Sequence, residues 1–351
     1  MSAIIKKERN SNLELYRIIS MILIVSHHYV VNSGLRSEIL SDPTSINSIY
    51  LSVFGMWGKT GINCFMLITG YFMCTSQITV RKFLKLIFEI EFYKIVVYAI
   101  FVLTGYGELS LKSLILNLFP VLSVDNGFTS CFLLFYLLIP FLNILISNLD
   151  KTMHGRLVLL TLFIYCILYT IPKISVTYNY VTWFSILFFI ASYIRKYGLL
   201  SNFSNKFWGW ATMWSVLVSI VSVICISTAF NGKFADKMYW FVADSSAFLA
   251  VVTSICSFMF FKNLNIGHSK VINTIAASTF GVLLIHANSD WMRQWLWKDT
   301  LDTVGHFDSP YMYSILCVLG IYVICTILDY LRIRLIETPL FNKLDDRFFC
   351  K

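Results

Sequence analysis

The sequence contains little charge for its length. Asp, Glu, Lys and Arg together form 13% of its 351 residues, about half of the roughly 25% that soluble domains carry. So few charged side chains cannot cover a water-facing surface of this size, which excludes a soluble globular protein. The 28 Lys and Arg are dispersed among 30 Phe, 19 Tyr and 9 Trp, which excludes disorder, collagen and a nucleic-acid-binding domain. The sequence therefore predicts a polytopic membrane protein.

The sequence also lacks several motifs of enzyme chemistry. It contains no HExxH, GxSxG, Walker A or Gly-rich dinucleotide motif. The six histidines show no metal-ligand spacing beyond one adjacent pair, so we expect no metal site. The nine cysteines form no CxxC pair and most lie in apolar runs, where Cys packs as a small hydrophobe. The first apolar run ends without a small-residue cleavage site, so we expect it to remain as a membrane span.

Ten apolar stretches are long enough to cross a bilayer, some of them marginally, because a membrane helix needs about 20 mostly apolar residues. They lie near residues 13–31, 50–74, 83–104, 129–148, 156–172, 181–195, 208–230, 241–261, 275–290 and 310–331. The shorter stretch 111–123 is typical of an interfacial or re-entrant segment. Since we find no internal repeat or linker, we predict an all-α fold in one membrane-embedded domain over 1–351, with cytoplasmic tails 1–12 and 339–351.

The distribution of cations predicts the orientation, because short cytoplasmic loops carry the excess of Lys and Arg. With ten spans both termini share one side, which holds nineteen of the 28 cations, against seven on the other side. The remaining two, Lys59 and Lys94, lie within predicted spans. Both termini are therefore predicted to be cytoplasmic. The net charge of +9 is then explained by orientation and by attraction to anionic lipid headgroups, without a nucleic-acid or other polyanionic partner.

The first span places a guanidinium and an imidazole on one helix face. The eleven-residue step from Arg17 to His28 turns through only about 20° beyond three full turns and rises about 16 Å. Arg suits phosphate binding and His suits proton transfer near neutral pH. Glu14 shares the face of Arg17, whereas His27 is rotated by about 100° and is expected to point elsewhere. An equally plausible alternative is a topological anchor at Arg17 and a helix-packing contact at His28.

Other ionisable side chains at membrane depth are candidate site residues, because burying them in lipid is unfavourable. Lys59 and Asn63 share a face of the second span and would either line a cavity or pack against neighbouring helices. His286 precedes Asp290 by one helical turn, an arrangement that could orient an acceptor, although an interfacial histidine is more often structural. We regard both alternatives as open.

Three cations follow the second predicted span at its cytoplasmic mouth. They are Arg81, Lys82 and Lys85. Such clusters most often only fix topology, so this cluster alone is weak support for a binding site.

Several segments, taken in order, give the sequence a recognisable pattern. They are Arg17 with His28 after ten intervening residues, 61–72 (GINCFMLITGYF), 81–85 (RKFLK), 136–143 (YLLIPFLN), 191–197 (ASYIRKY) and 279–286 (TFGVLLIH). This pattern resembles the acyltransferase 3 family of integral membrane acyltransferases over residues 11–340. Lys85 stands where the family often has a second Arg, and 128–132 lacks an expected Trp.

The resemblance implies a membrane O-acetyltransferase of the bacterial cytoplasmic membrane. Acetyl-CoA would be the cytoplasmic co-substrate, and the acceptor would be a hydroxyl of a cell-envelope glycan, such as capsule or exopolysaccharide, or of a lipid-linked sugar. His28 would act as general base or, less favourably, as a transient acyl carrier, and a buried donor would steady the oxyanion. The expected catalytic residues are His28, Lys59 and Asn63; those for the CoA phosphates are Arg17, Arg81, Lys82 and Lys85; and those for the acceptor are His286 and Asp290.

Two other classes of function stay open at this stage. A buried histidine with flanking cations also suits a proton-coupled transporter or flippase of a sugar-containing substrate, and a structural subunit of polysaccharide assembly would tolerate loss of His28. An enzyme requires an acyl-CoA, whereas a carrier moves its substrate without acylation. The sequence specifies neither the acyl group nor the acceptor sugar. It leaves the oligomeric state open, and a homo-oligomer is one of the alternatives.

Overall fold

The computed structural model describes residues 10–119, 127–198 and 202–345, which form sixteen α-helices and no β-strand. The prediction of an all-α fold is confirmed. The helices are α1 (Ser11–Val31), α2 (Leu35–Ser41), α3 (Ile46–Gly55), α4 (Gly58–Met73), α5 (Val80–Leu103), α6 (Leu111–Leu118), α7 (Phe128–Ser147), α8 (Lys151–Leu162), α9 (Tyr180–Tyr197), α10 (Asn205–Gly232), α11 (Phe248–Lys262), α12 (Lys270–Ala277), α13 (Thr279–His286), α14 (Asp290–Arg293), α15 (Pro310–Arg332) and α16 (Thr338–Leu344). Turns of π-helix continue α8 over Phe163–Leu168, α14 over Gln294–Thr300 and α15 over Ile333–Glu337.

The first helix is continuous over 21 residues, or about 31 Å at 1.5 Å per residue. Its start is fixed by Asn10, whose side chain accepts hydrogen bonds from the backbone N–H groups of Asn12 and Leu13, because these N–H groups have no partner within the helix. The predicted span 13–31 is therefore one unbroken helix. Its length is sufficient to cross the hydrocarbon of a bilayer.

Several predicted spans are interrupted. The stretch 50–74 is divided between α3 and α4. In the stretch 241–261, the first residues form turns, and the helix α11 begins only at residue 248. The stretch 275–290 is wrong as one helix, because α13 ends at His286 and the following helix leaves at 94°. In the apolar segment 111–123, residues 111–118 form α6, and 120–123 lie outside the described residues.

In the described part of the chain, five helices are long and apolar enough to cross a membrane, or up to seven if each of two bent pairs counts as one span. Two further helices account for much of the difference between this count and the ten predicted spans. The segment α5 has 24 residues but contains six charged side chains, and α11 has only 15 residues. The count of ten spans and the cytoplasmic termini stay predictions.

The first helix lies at the centre of the bundle and packs against α3, α4, α11, α12, α13 and α15. Two glycines of α4 allow an especially close approach. A Cβ at Gly61 would lie 2.7 Å from the Ser20 carbonyl oxygen, and one at Gly58 would lie 2.3 Å from Cγ of His27. Small residues permit such backbone contact between membrane helices, and here they bring the polar side chains of α4 next to the histidines of α1.

Candidate active site

Two histidines from distant parts of the sequence meet at the centre of the bundle. Nδ1 of His28, near the end of α1, lies 2.9 Å from Nε2 of His286, the last residue of α13. Their ring centroids are 5.1 Å apart. His286 is completely buried, whereas His28 is partly exposed. The site therefore has an inner and an outer imidazole joined by one hydrogen bond.

The hydrogen bonds fix which nitrogen of each neutral ring carries the proton. Nδ1 of His286 lies 2.6 Å from the carbonyl oxygen of Val282, and a carbonyl only accepts, so this Nδ1 donates. Nε2 of His286 is then the acceptor, and Nδ1 of His28 donates to it. Among the described residues no group hydrogen-bonds Nε2 of His28. The chain Val282–His286–His28 thus leaves a lone pair on Nε2 of His28 for proton transfer.

Two other rings beside the histidine pair, those of His27 and Trp297, make structural contacts. Nδ1 of His27 donates to the carbonyl oxygen of Gly55 at 2.6 Å, which confirms that His27 points away from the face of His28. The ring of Trp297 stands edge-on to His286 with a centroid distance of 6.4 Å, and Trp297 is fully buried. Both contacts restrict the rings that surround the hydrogen-bonded pair.

The structure does not place Asp290 one helical turn beyond His286. Because α13 ends at His286 and α14 begins at Asp290 in a different direction, the i, i+4 relation does not form. The Asp290 side chain is 93% exposed and its carboxylate is 2.9 Å from Arg293. His286 itself faces His28, so the structure gives it a positioning contact to the predicted base rather than a free face for an acceptor.

Of the two candidate residues of α4, Lys59 retains more capacity for chemistry than Asn63. Asn63 is fully buried, its Nδ2 donates to the Ser245 carbonyl at 2.6 Å, and its Oδ1 accepts from Trp183 Nε1 at 2.9 Å. It therefore ties α4 to α9 and to the turn before α11. Nζ of Lys59 donates to the Tyr180 hydroxyl at 2.6 Å, which leaves two further N–H donors on the ammonium.

Arg17 lies on the same unbroken helix as His28, so the predicted rise of about 16 Å between them applies to this helix. Its guanidinium is 3.3 Å from the Glu14 carboxylate and 5.8 Å from the centroid of the Phe65 ring. The aromatic contact orients the guanidinium against α4. The Arg17 side chain thus extends from α1 toward α4, and both helices carry candidate residues.

The three cations after α4 are all engaged by neighbouring groups. Arg81 makes a bidentate pair with Asp345, with both N–O distances at 2.6 Å, and Lys85 lies 2.9 Å from Glu337. The Arg81 guanidinium lowers the pKa of the Asp345 carboxyl. Nζ of Lys82, which is exposed, donates to the backbone carbonyl of residue 77 at 2.7 Å. Phosphate binding by Arg81 or Lys85 would therefore require release from the carboxylates at the end of the described chain.

Another cation without a carboxylate partner in the described ranges is Arg195, at the end of α9. Its guanidinium lies 4.6 Å from the Tyr71 ring centroid and interacts electrostatically with Lys262. In the sequence, Arg195 stands out only as a member of the segment 191–197. The predicted topology places Arg195 on the same side of the membrane as Arg17, and this shared side could have indicated a second cation for the donor phosphates.

A buried ionic network was also missed. Arg332 contacts three carboxylates, those of Asp329 at 2.9 Å, Glu337 at 2.7 Å and Glu89 at 3.1 Å. The Tyr93 hydroxyl donates to Asp329 at 2.8 Å. Spacing alone could indicate only the pair Asp329 and Arg332 within one helix, because Glu89 comes from α5. The network connects the middle of α5 to the last turn of α15.

The family match identifies the class of protein as a membrane acyltransferase. Residues 10–329 match the family model described as the acyltransferase domain of the acyltransferase 3 family, and the chain belongs to this family. The match confirms the resemblance seen in the sequence and the class of enzyme. No curated protein and no solved structure matches the chain.

Proposed function

We propose that this membrane acyltransferase transfers an acetyl group from cytoplasmic acetyl-CoA to a hydroxyl of a cell-envelope glycan or its lipid-linked precursor on the outer side of the bacterial cytoplasmic membrane. The hydrogen-bonded chain Val282–His286–His28 carries this proposal. It leaves a basic nitrogen on a partly exposed imidazole at the centre of the bundle, which is what attack by a hydroxyl requires.

His28 acts as the general base. As the acceptor oxygen attacks the carbonyl carbon of the acetyl thioester, Nε2 of His28 takes the hydroxyl proton. A C–O bond forms, the C–S bond breaks, and the proton passes from His28 to the leaving thiolate to give CoA. Protonation strengthens the hydrogen bond from His28 to the neutral His286 ring, because charged donors make stronger hydrogen bonds. The Lys59 ammonium supplies the electrostatic stabilisation of the oxyanion.

The donor phosphates lie at the cytoplasmic end of the same bundle. Arg17 supports this assignment because it lies about three turns below His28 on α1. Arg195 and Lys262 add positive charge from α9 and α11. Arg81 and Lys85 contribute only after the carboxylates of Asp345 and Glu337 move away. The pantetheine arm then extends along α1 toward the histidine pair.

His28→Ala tests the proposal directly. We expect this variant of the purified protein in lipid nanodiscs to lose about 10²- to 10⁴-fold of its acetyl transfer from acetyl-CoA, the usual contribution of a general base. The matched control is His268→Ala, an exposed histidine before α12, which should retain activity. Acetylation of envelope glycan in cells with and without the gene identifies the acceptor. Full activity of His28→Ala would refute the assignment, and substrate movement without acyl-CoA would instead establish the carrier.

A further inference from the structure

A large groove runs along the side of the bundle between α5 and α15. Its volume is about 1210 Å³, and α13 contributes to its wall. Along α15 its lining extends from Tyr313 to Arg332, a rise of about 28 Å, which is close to the hydrocarbon thickness of a bilayer. Lining residues such as Leu316 and Ile324 are 60% and 59% exposed, so the groove opens sideways toward lipid.

Charged side chains are scarce along the groove. Among the residues that the structure describes, Arg332 is the one charged lining residue, and each of its three guanidinium nitrogens contacts a carboxylate, from Asp329, Glu337 and Glu89. An uncharged hydrocarbon chain complements such a wall, whereas the phosphates of CoA do not. The same network closes the cytoplasmic end, so a headgroup phosphate could bind there only by displacing a carboxylate.

Apart from Tyr93, whose hydroxyl donates to Asp329, the lining residues that carry a hydroxyl or an indole lie at the opposite end. Hydroxyls of Thr104, Tyr106, Thr300 and Tyr313 and the indole of Trp295 line the groove at the predicted outer side. This distribution matches an amphiphile whose chain points toward the cytoplasm and whose head lies at the outer surface, where aromatic and hydroxyl groups suit a sugar.

The groove reaches the inner histidine of the pair. His286 is one of its lining residues, and Nε2 of the same ring accepts the hydrogen bond from His28. A chain held in the groove therefore lies against the ring that hydrogen-bonds the predicted base.

We propose that this groove binds the aliphatic chain of a lipid-linked glycan acceptor, so that the enzyme acylates its sugar while it is still attached to a membrane lipid. This inference rests on the proposed function, because it assigns the groove to the acceptor of that reaction. It gives the donor and the acceptor separate routes to the histidine pair, the donor along α1 and the acceptor between α5 and α15, where His286 lines the groove.

Gly320 offers a direct way to block the groove. It lines the groove, and a Cβ at this position has no atom within 4 Å, so a large side chain fits without displacing the helix. Gly320→Trp is the blocking variant. The matched control is Val323→Trp on the same helix, a position that is 53% exposed and outside the groove lining. Ile324→Trp, one turn beyond Gly320, is a second blocking variant in case the first does not fold.

The test uses the purified full chain in nanodiscs and hexadecyl β-glucoside with a photoreactive diazirine in its chain. Labelled peptides of the wild-type protein should map to α5 and α15. Labelling should fall at least about tenfold in Gly320→Trp and Ile324→Trp, the loss expected when about two methylenes are no longer buried, and should be unchanged in Val323→Trp. Unlabelled hexadecyl glucoside should compete with the wild-type labelling, which needs no variant.

The arms of the experiment separate this inference from the proposed function. His28→Ala should label normally but lose about 10²- to 10⁴-fold of its acetyl transfer, whereas Gly320→Trp should retain acetyl-CoA binding and lose transfer to the hexadecyl glucoside. Labelling spread evenly over all lipid-facing helices would overturn the inference. So would equal competition by phosphatidylcholine, which would make the groove a general lipid site, or competition only by long-chain acyl-CoA, which would make it a donor site.

Discussion

His286 acts on the predicted base through a single hydrogen bond. Its Nδ1 donates to the Val282 carbonyl of its own helix, and its Nε2 accepts from His28. Because the carbonyl cannot donate, it sets the tautomer of His286, and His286 in turn sets the tautomer of His28. His286 is therefore a positioning residue, and its effect on the reaction should depend on its ability to accept a hydrogen bond.

Substitution of His286 tests this dependence. We expect His286→Ala to lower kcat about 10²-fold, because an unrestrained His28 ring is misplaced and can change its tautomer. His286→Gln keeps a carbonyl oxygen that can accept from Nδ1 of His28, so it should recover much of the loss. Steady-state kinetics should show unchanged KM for acetyl-CoA in both variants, since neither contacts the predicted phosphate site. Equal kcat for the Ala and Gln variants would contradict the hydrogen-bonding role and indicate packing against Trp297 instead.

At the level of helices, hydropathy predicted the positions of most apolar helices, including α1, α7 and α15, within a few residues. It did not predict the breaks within α3–α4 and after α13. Hydropathy averages over a window, whereas these breaks depend on contacts with distant residues. The break after α3 leaves the Gly55 carbonyl to accept from His27, a contact that no local pattern indicates.

The site depends on the close packing of α4 against α1. A Cβ at Gly58 would lie 2.3 Å from Cγ of His27, closer than atoms can pack. We expect Gly58→Ala to push the two helices apart and to destabilise the protein by about 1–3 kcal/mol, the usual effect of overpacking. The change should appear as a lower Tm in detergent and as reduced acetyl transfer.

The control for this prediction is Gly320→Ala, where a Cβ has open space. This variant should keep or raise Tm, because Ala is favoured over Gly within helices by about 0.5–1 kcal/mol. An unchanged Tm for Gly58→Ala would show that α4 can shift away without loss and that the close approach of the two helices is not required.

At the scale of the whole molecule, sequence reasoning succeeded within one helix and failed between helices. The shared helix of Arg17 and His28 follows from periodicity alone. The partners of His28 and Arg81 lie 258 and 264 residues away in the sequence, and no spacing rule reaches that far. The predicted CoA-binding cluster illustrates this limit. Its cations Arg81 and Lys85 lie close together in the sequence, whereas their carboxylate partners come from residues 337 and 345.

The pair Arg81–Asp345 therefore connects the start of α5 to the last described residue of the chain. If Arg81 binds a donor phosphate, Asp345 competes with that phosphate for the guanidinium. We expect Asp345→Asn to lower the KM for acetyl-CoA by roughly threefold with kcat unchanged, a small effect because both partners are partly exposed and such pairs are weak. The difference from wild type should shrink at high salt, which screens exposed charges.

The change of net charge requires its own control, because removal of any carboxylate attracts an anionic substrate. Asp308→Asn changes the charge equally at an exposed loop position before α15, and it should leave the KM unchanged. A lower KM in both variants would assign the effect to net charge. An unchanged KM with a lower Tm in Asp345→Asn would show that the pair only fastens the C-terminal helix to α5, and donor binding would then depend on Arg17, Arg195 and Lys262.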